Sequence, residues 1–400
     1  HSFTQRTPTL AGSPKRFFMQ TIKTDILIFG GGIAGLWLLN CLRSAGYSVI
    51  LLEQERLGGQ ESINANGIIH GGLKFGLSSM LRNIEDLDDM PALWRDCLAG
   101  KGDLNLSSVK TLSDHQYIWS EANLAARATT FFASFLITGQ VKAVEGAERP
   151  EPLQHDSFKG SAYRLSDLVI DMPSLVRHLA SVHKSSIYKV SPQNCHIETD
   201  DRNNTTAVFI TAAGVEPLRI HPDRTILAGG QGNAKLLDDI GLREPVMQRN
   251  EVHMTLLKRP QLPTLYAHCL GTSRSPRLTI TTHNTRDGEK VWYIGGEIAS
   301  EGALRDERMQ IEKVQQELKT LLPWVDLRGG RYRTVKIERI LPPEENIFQP
   351  DRAFVEKKGN NIVVWPCKLT LAPNVGRQVL DLLKKDNHLP QHAQPTEALP

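Results

Sequence analysis

Asp25-Ile26-Leu27-Ile28-Phe29-Gly30-Gly31-Gly32-Ile33-Ala34-Gly35 is the stretch from which the fold is read. Asp25–Phe29 is short, apolar and rich in Ile and Leu, the pattern of a buried strand. Glycines 30, 32 and 35 spell G-x-G-x-x-G, and the apolar segment Ile33–Ser44 reads as a helix ended by Gly46. Tyr47–Leu52 reads as a second buried strand. Strand, glycine turn, helix and strand make the repeating unit of a parallel sheet. The glycine pattern alone is weak; directly after a strand and opening a helix, it points to a dinucleotide. Gly30 permits the tight turn, Gly32 leaves out a side chain where a pyrophosphate must approach, and Gly35 lets the helix lie close on the strand. The amides of Ile33 and Ala34, at the positive end of the helix dipole, then face the phosphates. Glu53 ends the second strand, 18 residues after Gly35. A carboxylate there accepts hydrogen bonds from ribose hydroxyls and repels a ribose phosphate, which disfavours NADP.

Outward from this unit, residues 81–155 read as mixed and more helical, with Trp94 and Trp119 inside amphipathic patterns. Asp171–His183 is an expected helix, and Ile187–Leu227 an expected set of short strands. Val252–Leu257, Leu278–Thr282 and Val291–Ile298 alternate like sheet strands. Arg305–Leu322 is an amphipathic helix stopped by Pro323, Asn361–Val364 a strand, and Ala372–Lys384 a closing helix.

The 400 residues suffice for about two domains. With 40% hydrophobic and 23% charged residues, the composition is that of an ordinary globular protein. A formal charge of +3 gives no strong case for a nucleic-acid or membrane partner. The five cysteines, Cys41, Cys97, Cys195, Cys269 and Cys367, form no CxxC pair and fit a reduced, cytoplasmic setting. No apolar run approaches the roughly 18 residues of a spanning helix. The segment up to Phe18 is polar and basic, unlike a signal peptide. Met19 is a candidate natural start after an added or flexible tail, with a transit peptide the weaker reading.

Four segments resemble the D-amino-acid-oxidase superfamily of flavoproteins, which includes glycine oxidase, sarcosine oxidase and the flavin-linked glycerol-3-phosphate dehydrogenases. The first is the glycine turn. The second is Gln60-Glu61-Ser62-Ile63-Asn64-Ala65-Asn66-Gly67-Ile68-Ile69-His70-Gly71-Gly72, similar to the loop that runs past the pyrophosphate toward the flavin ring. Its continuation through Leu73-Lys74-Phe75 is closest to the glycerol-3-phosphate dehydrogenase branch. The third is Thr225-Ile226-Leu227-Ala228-Gly229-Gly230-Gln231-Gly232, a buried strand ending in small residues beside the cofactor. The fourth is Trp365-Pro366-Cys367-Lys368-Leu369-Thr370-Leu371-Ala372-Pro373-Asn374-Val375-Gly376-Arg377, which resembles the closing FAD motif. Its Thr370-Leu371-Ala372-Pro373 matches the glycine-oxidase side; Lys368-Leu369-Thr370 is nearer the other branch.

The resemblance implies FAD as cofactor. It implies a Rossmann-like α/β FAD-binding domain of the glutathione-reductase type, with an inserted α+β substrate domain on a mostly antiparallel sheet. The expected division is a flexible tail at 1–20, the FAD-binding domain at 21–85, 156–245 and 331–390, the substrate domain at 86–155 and 246–330, and a tail at 391–400. Candidate cofactor-binding residues are Gly30, Gly32, Ile33, Ala34, Gly35, Glu53, Gln54, Gln60, Ser62, Asn64, Asn66, Gly67, Ile68, Cys195, Ala228, Gly229, Gly230, Lys368, Leu369 and Thr370.

The flavin supplies the redox chemistry in this family, and the protein orients the substrate. Arg339, in Ile337-Glu338-Arg339-Ile340-Leu341-Pro342, lies where relatives carry an arginine that grips a substrate carboxylate. The relatives' Gly-x-Arg-Pro is not reproduced. Lys368 and His70 complete the catalytic candidates, with His253 a weaker one. Cys367 or His70 could bond the flavin covalently, as Cys or His does in some relatives. The Val252–Glu301 segment resembles the sheet that roofs the flavin, with Trp292-Tyr293 on its central strand.

The implied reaction is oxidation of the CH–NH bond of a small amine or amino acid, anionic or zwitterionic, by hydride transfer to flavin N5. The electron acceptor, O2 or another, is open. Oxidation of a CH–OH substrate, a 2-hydroxy acid or a glycerol-3-phosphate-like molecule, is the alternative. An amine carried on a nucleic acid or other macromolecule is a third, which the weak net charge does not favour. No metal site is expected.

Overall fold

A computed structural model describes residues 19–71, 90–137, 141–211, 216–273, 275–341 and 352–395. The first sheet carries the parallel unit read from the sequence. Its strand Gln20–Phe29 is flanked by Val49–Glu53 and Leu218–Leu227, both parallel to it. The helix Ile33–Ser44 between the first two strands is buried on nearly every side, from Ile33 to Leu42. It lies between the sheet and two further helices, Met172–Val182 and Ala372–Lys385. All-round burial explains why its sequence is uniformly apolar rather than amphipathic. A Cβ at Gly376 would sit 3.0 Å from Cys41 Sγ and 3.1 Å from the Trp37 ring, so glycine sets how closely the closing helix approaches.

Leu218–Leu227 is one ten-residue strand, longer than the expected set of short ones. Its first part pairs antiparallel with Thr205–Ile210, and its last three residues pair parallel with Asn361–Trp365. The chain ends of the sheet are thereby collected beside the glycine turn. Ile187–Lys189 and Cys195–Thr199 form the two outer strands, and Phe354–Lys358 pairs with Asn361–Trp365.

The second sheet runs Arg331–Leu341, Gln248–Lys258, Lys290–Gly295, Leu278–Asn284, Ala267–Cys269, Gln116–Trp119, Ala162–Leu165, Val141–Ala143. All neighbours are antiparallel except Ala267–Cys269 with Gln116–Trp119. The helix Glu307–Leu321 covers one face, started by Asp306, whose carboxylate accepts the Met309 amide at 2.8 Å. A small third sheet joins Ile68–Ile69, Leu168–Ile170 and Thr111–Ser113.

Several expectations differ from this architecture. Arg331–Leu341, assigned by sequence to the FAD-binding part, forms eleven register pairs with Gln248–Lys258 in the second sheet. Ala162–Leu165 also joins that sheet. Trp119 sits on a strand, whereas Trp94 is buried in the helix Met90–Leu98. The strand expected at Val291–Ile298 stops at Gly295 and is buried on both faces rather than alternating, because the helix covers one side and the first domain's loop the other. Gln20 already belongs to the first strand, while the rest of the expected N-terminal tail lies, except for Met19, outside the described residues. The segment beginning at 391 is pinned: the Gln391 and His392 amides donate to Asp25 at 2.8 and 3.1 Å, and Gln394 bonds Val49.

Candidate active site

The glycine turn adopts the predicted geometry. Gly30 has φ +107°, and a Cβ there would meet the Ala228 carbonyl oxygen at 2.5 Å. A Cβ on Gly35 would lie 1.9 Å from the Gly30 oxygen, so helix and strand touch backbone to backbone. Gly32 is different: its nearest atom would be Ser62 Oγ at 3.4 Å, which leaves the helix start open to a ligand. Ser62 Oγ accepts the Ile33 amide at 3.0 Å. Glu53 accepts the Gly31 amide at 2.6 Å with one oxygen and the Glu55 amide at 2.7 Å with the other. The carboxylate is thereby fixed at the rim, each oxygen keeping further acceptor capacity.

A cavity of about 310 Å³ runs from this turn to the end of the strand Asn361–Trp365. It is lined by Gly30, Gly32, Ile33, Ala34, Glu53, Gln54, Gln60, Ser62, Cys195, Ala228, Gly229, Gly230, Lys368 and Leu369, fourteen of the candidates read from sequence. Four chain segments far apart in sequence therefore share one wall. Sequence reasoning missed Pro192, Ile197, Gln231 and Trp365 on the same wall. Pro192 opens the short turn between the two outer strands, Ile197 lies on one of them, and neither carries a motif. Trp365 was quoted in the closing motif without a role.

Other candidates are absent from that wall, for visible reasons. Gly35 is consumed by helix packing. A Cβ on Gly67 (φ +74°) would strike the Ile170 oxygen at 2.1 Å, so this glycine serves the small third sheet, as does Ile68, paired to Val169. Asn64 donates to the Gln60 oxygen at 2.7 Å and shapes the loop. Asn66 Oδ1 is buried with no hydrogen-bond partner, an acceptor awaiting a donor. Thr370 is buried, and its hydroxyl accepts the His70 amide at 2.9 Å.

Across from the loop 61–70, the second sheet turns an unusual face. Residues opposite one another in register share a face, which puts His268, Thr279, Thr281, Tyr293 and Arg339 on one side. His283 stands on it too, bonded to Thr281 at 2.9 Å and set edge-on to Tyr293. Tyr293 and Trp292 point opposite ways: Trp292 is sealed in the core under the helix, whereas the Tyr293 hydroxyl donates to the Asn64 oxygen at 2.8 Å. His253 points away from this face and is held between the Gly302 oxygen and Thr334 Oγ1, as a core histidine.

His70 is paired with the buried Asp167 at 3.3 Å and stacks on His268 at 5.5 Å. Burial, with the charge of His70, lowers the His268 pKa well below the usual histidine value. Burial also lowers the pKa of His283. Glu61 lines the cavity; burial raises its pKa to about 7, opposed by the Arg339 guanidinium and a hydrogen bond with the Ile340 backbone. Arg339 itself is exposed at the strand end. Cys195 and Cys367 are pushed up to about 11 by burial, the opposite of an activated thiolate. Gly72 and the Leu73-Lys74-Phe75 continuation, with Pro342, lie outside the described residues.

The wall suits FAD. The open Gly32, the amides of the helix start and the rim carboxylate complement a diphosphate and a ribose.

Comparison with known proteins agrees with this reading. A family model described as "FAD dependent oxidoreductase" (DAO) matches residues 25–381. The probable FAD-dependent oxidoreductase PA4991 of Pseudomonas aeruginosa is 42% identical over 377 residues, covering 94% of each chain. Its crystal structure superposes with a TM-score of 0.81, at 39% identity and 96% coverage of both chains. Glycine oxidase from Geobacillus kaustophilus matches in fold, with a TM-score of 0.63 and 17% identity, covering 95% of this chain and 99% of that one. L-α-glycerophosphate oxidase from Mycoplasma pneumoniae, solved with FAD bound, matches at 0.64 and 13%, covering 94% and 97%.

Proposed function

We propose, from the premise that this chain belongs to the DAO family of FAD-dependent oxidoreductases, that it oxidises the CH–NH bond of a small zwitterionic or anionic amine. Bound FAD supplies the hydride acceptor at N5. What supports the reading is the charge of the Arg339 guanidinium acting on the buried Glu61 carboxyl where the second sheet meets the loop. A guanidinium holds a carboxylate through two parallel bonds. A carboxyl poised near pH 7 can receive the proton that an ammonium group must shed before its C–H bond is oxidised. His268 and His283, driven toward their neutral forms, add hydrogen bonds rather than positive charge. A phosphate dianion calls for more converging cations than that. The polar sheet face then orients the substrate over the flavin, the source of much of the rate.

Oxidation of a CH–OH substrate is the second reading, and the His70–Asp167 pair favours it, since a carboxylate that orients an imidazole is the arrangement of a base for a hydroxyl proton. Anaerobic mixing of the holoprotein with amino acids and secondary amines, and separately with 2-hydroxy acids and glycerol 3-phosphate, separates the two. Bleaching of the flavin by the amine set supports the proposal; bleaching by the hydroxy set alone overturns it. Admission of air then distinguishes an oxidase, which recolours at once, from a dehydrogenase that needs another acceptor.

A further inference from the structure

We propose that Asp25, Asp223 and His388 form a binding site for a zinc-class divalent cation, which clamps the C-terminal segment against the first sheet. One carboxylate oxygen of each aspartate and one ring nitrogen of His388 lie within 4.8 Å of one another. The two aspartates sit on neighbouring parallel strands at the same level, between the register pairs Thr24–Pro222 and Ile26–Arg224. Like charges side by side in a sheet repel, and Asp25 is fully buried. The nearby cations do not answer them: Arg224 and Lys357 both make their ion pairs with Asp386, at 3.6 and 2.5 Å. Asp25 is held by the amides of Ser48, Gln391 and His392, and Asp223 by His392 Nε2 at 3.1 Å.

His388 gives the independent sign of a ligand. It is 6% exposed, and its Nε2 is buried with no hydrogen-bond partner. The ring is fixed by stacking on Tyr47, whose hydroxyl donates to the His388 oxygen at 2.7 Å. A buried imidazole nitrogen left empty beside two carboxylates is satisfied by a cation between them. Imidazole with carboxylate selects zinc and its neighbours over calcium or magnesium, which prefer all-oxygen shells. The His392 bond to Asp223 is the outer contact that orients such a ligand. Asp25 lies five residues before Gly30 on a strand, so at roughly 3.3 Å per residue the site is remote from the diphosphate and its role is structural.

The test is titration of the chelator-stripped, FAD-loaded full chain with Zn(II) by calorimetry, and with Co(II) by absorption in the red, beyond the flavin bands. One tight equivalent is expected, weakened roughly tenfold or more in His388→Gln and Asp223→Asn, with flavin content unchanged. Absence of uptake by the wild type, or uptake by both variants as tight as the wild type's, overturns the site. Should a variant lose its flavin, the wild-type chain still decides: Zn(II) must slow carboxypeptidase digestion through residues 388–395, and equal digestion with and without the metal overturns the clamp.

Discussion

The Tyr293 hydroxyl donates to the Asn64 carbonyl oxygen at 2.8 Å, bonding the centre of the second sheet to the loop 61–70. Both ends of the bond matter to the proposed function, in which the substrate lies between the sheet face and the loop. Tyr293→Phe keeps the ring packed against Met254 and Ile337 and removes only this link. Stability should fall by about 1 kcal/mol, read as a lower urea midpoint. Reduction of the flavin by substrate should slow while FAD affinity holds. Unchanged reduction kinetics would show that the link is structural only.

Gly35 gives the sharpest test of the turn. Its would-be Cβ lies 1.9 Å from the Gly30 oxygen, and a backbone atom cannot swing aside as a side chain can. Gly35→Ala must separate helix from strand and tilt the amides that face the diphosphate. The purified variant should be colourless or only weakly yellow and should melt earlier. Gly59→Ala is the control from the same cavity wall: a Cβ there meets nothing within 4 Å, so only its positive φ opposes the change, and flavin should be retained. Equal flavin content in both variants contradicts the packing argument.

How much of this was legible in the sequence follows from the range of the interactions. The glycine turn is local: its strand, φ values and helix all lie between Gln20 and Ser44, so residue types alone fix it. The closing motif and the loop were legible through resemblance, and both reach the cavity wall. The polar face of the second sheet was not, because Arg339, Tyr293, Thr281 and His268 meet only through cross-strand register. Nor was the strand Arg331–Leu341 in its proper sheet, since alternation shows that a strand exists and not what it pairs with. Glu61 passed as one polar residue in a polar loop; its burial beside Arg339 is tertiary.

Glu61 has a pH signature. Its pKa is raised by burial from 4.5 to about 7, so between those values the folded apoprotein holds a proton that the unfolded chain has released. Its contribution to stability therefore declines as pH rises through that window and is level above it. Glu61→Gln removes the dependence. The melting-temperature difference, variant minus parent, should grow from about pH 4.5 to about pH 7 and then flatten. A difference constant across that range would place Glu61 in an ordinary solvated carboxylate's environment.

Arg339 decides the substrate proposal most directly. If its guanidinium holds the substrate carboxylate, Arg339→Lys keeps the charge but loses the paired bonds, and Arg339→Ala loses both. The apparent affinity for substrate should drop in that order. The alanine variant should lose about 1.5–3 kcal/mol of binding, roughly ten- to hundredfold, the worth of a hydrogen bond to a charged group. FAD content should stay constant, because Arg339 is not among the residues lining the cofactor cavity. The carboxylate-free analogue of the same amine separates this from misfolding: it should bind wild type and Arg339→Ala equally poorly. An Arg339→Ala enzyme that still prefers the carboxylate-bearing substrate by the wild-type margin would remove Arg339 from substrate binding.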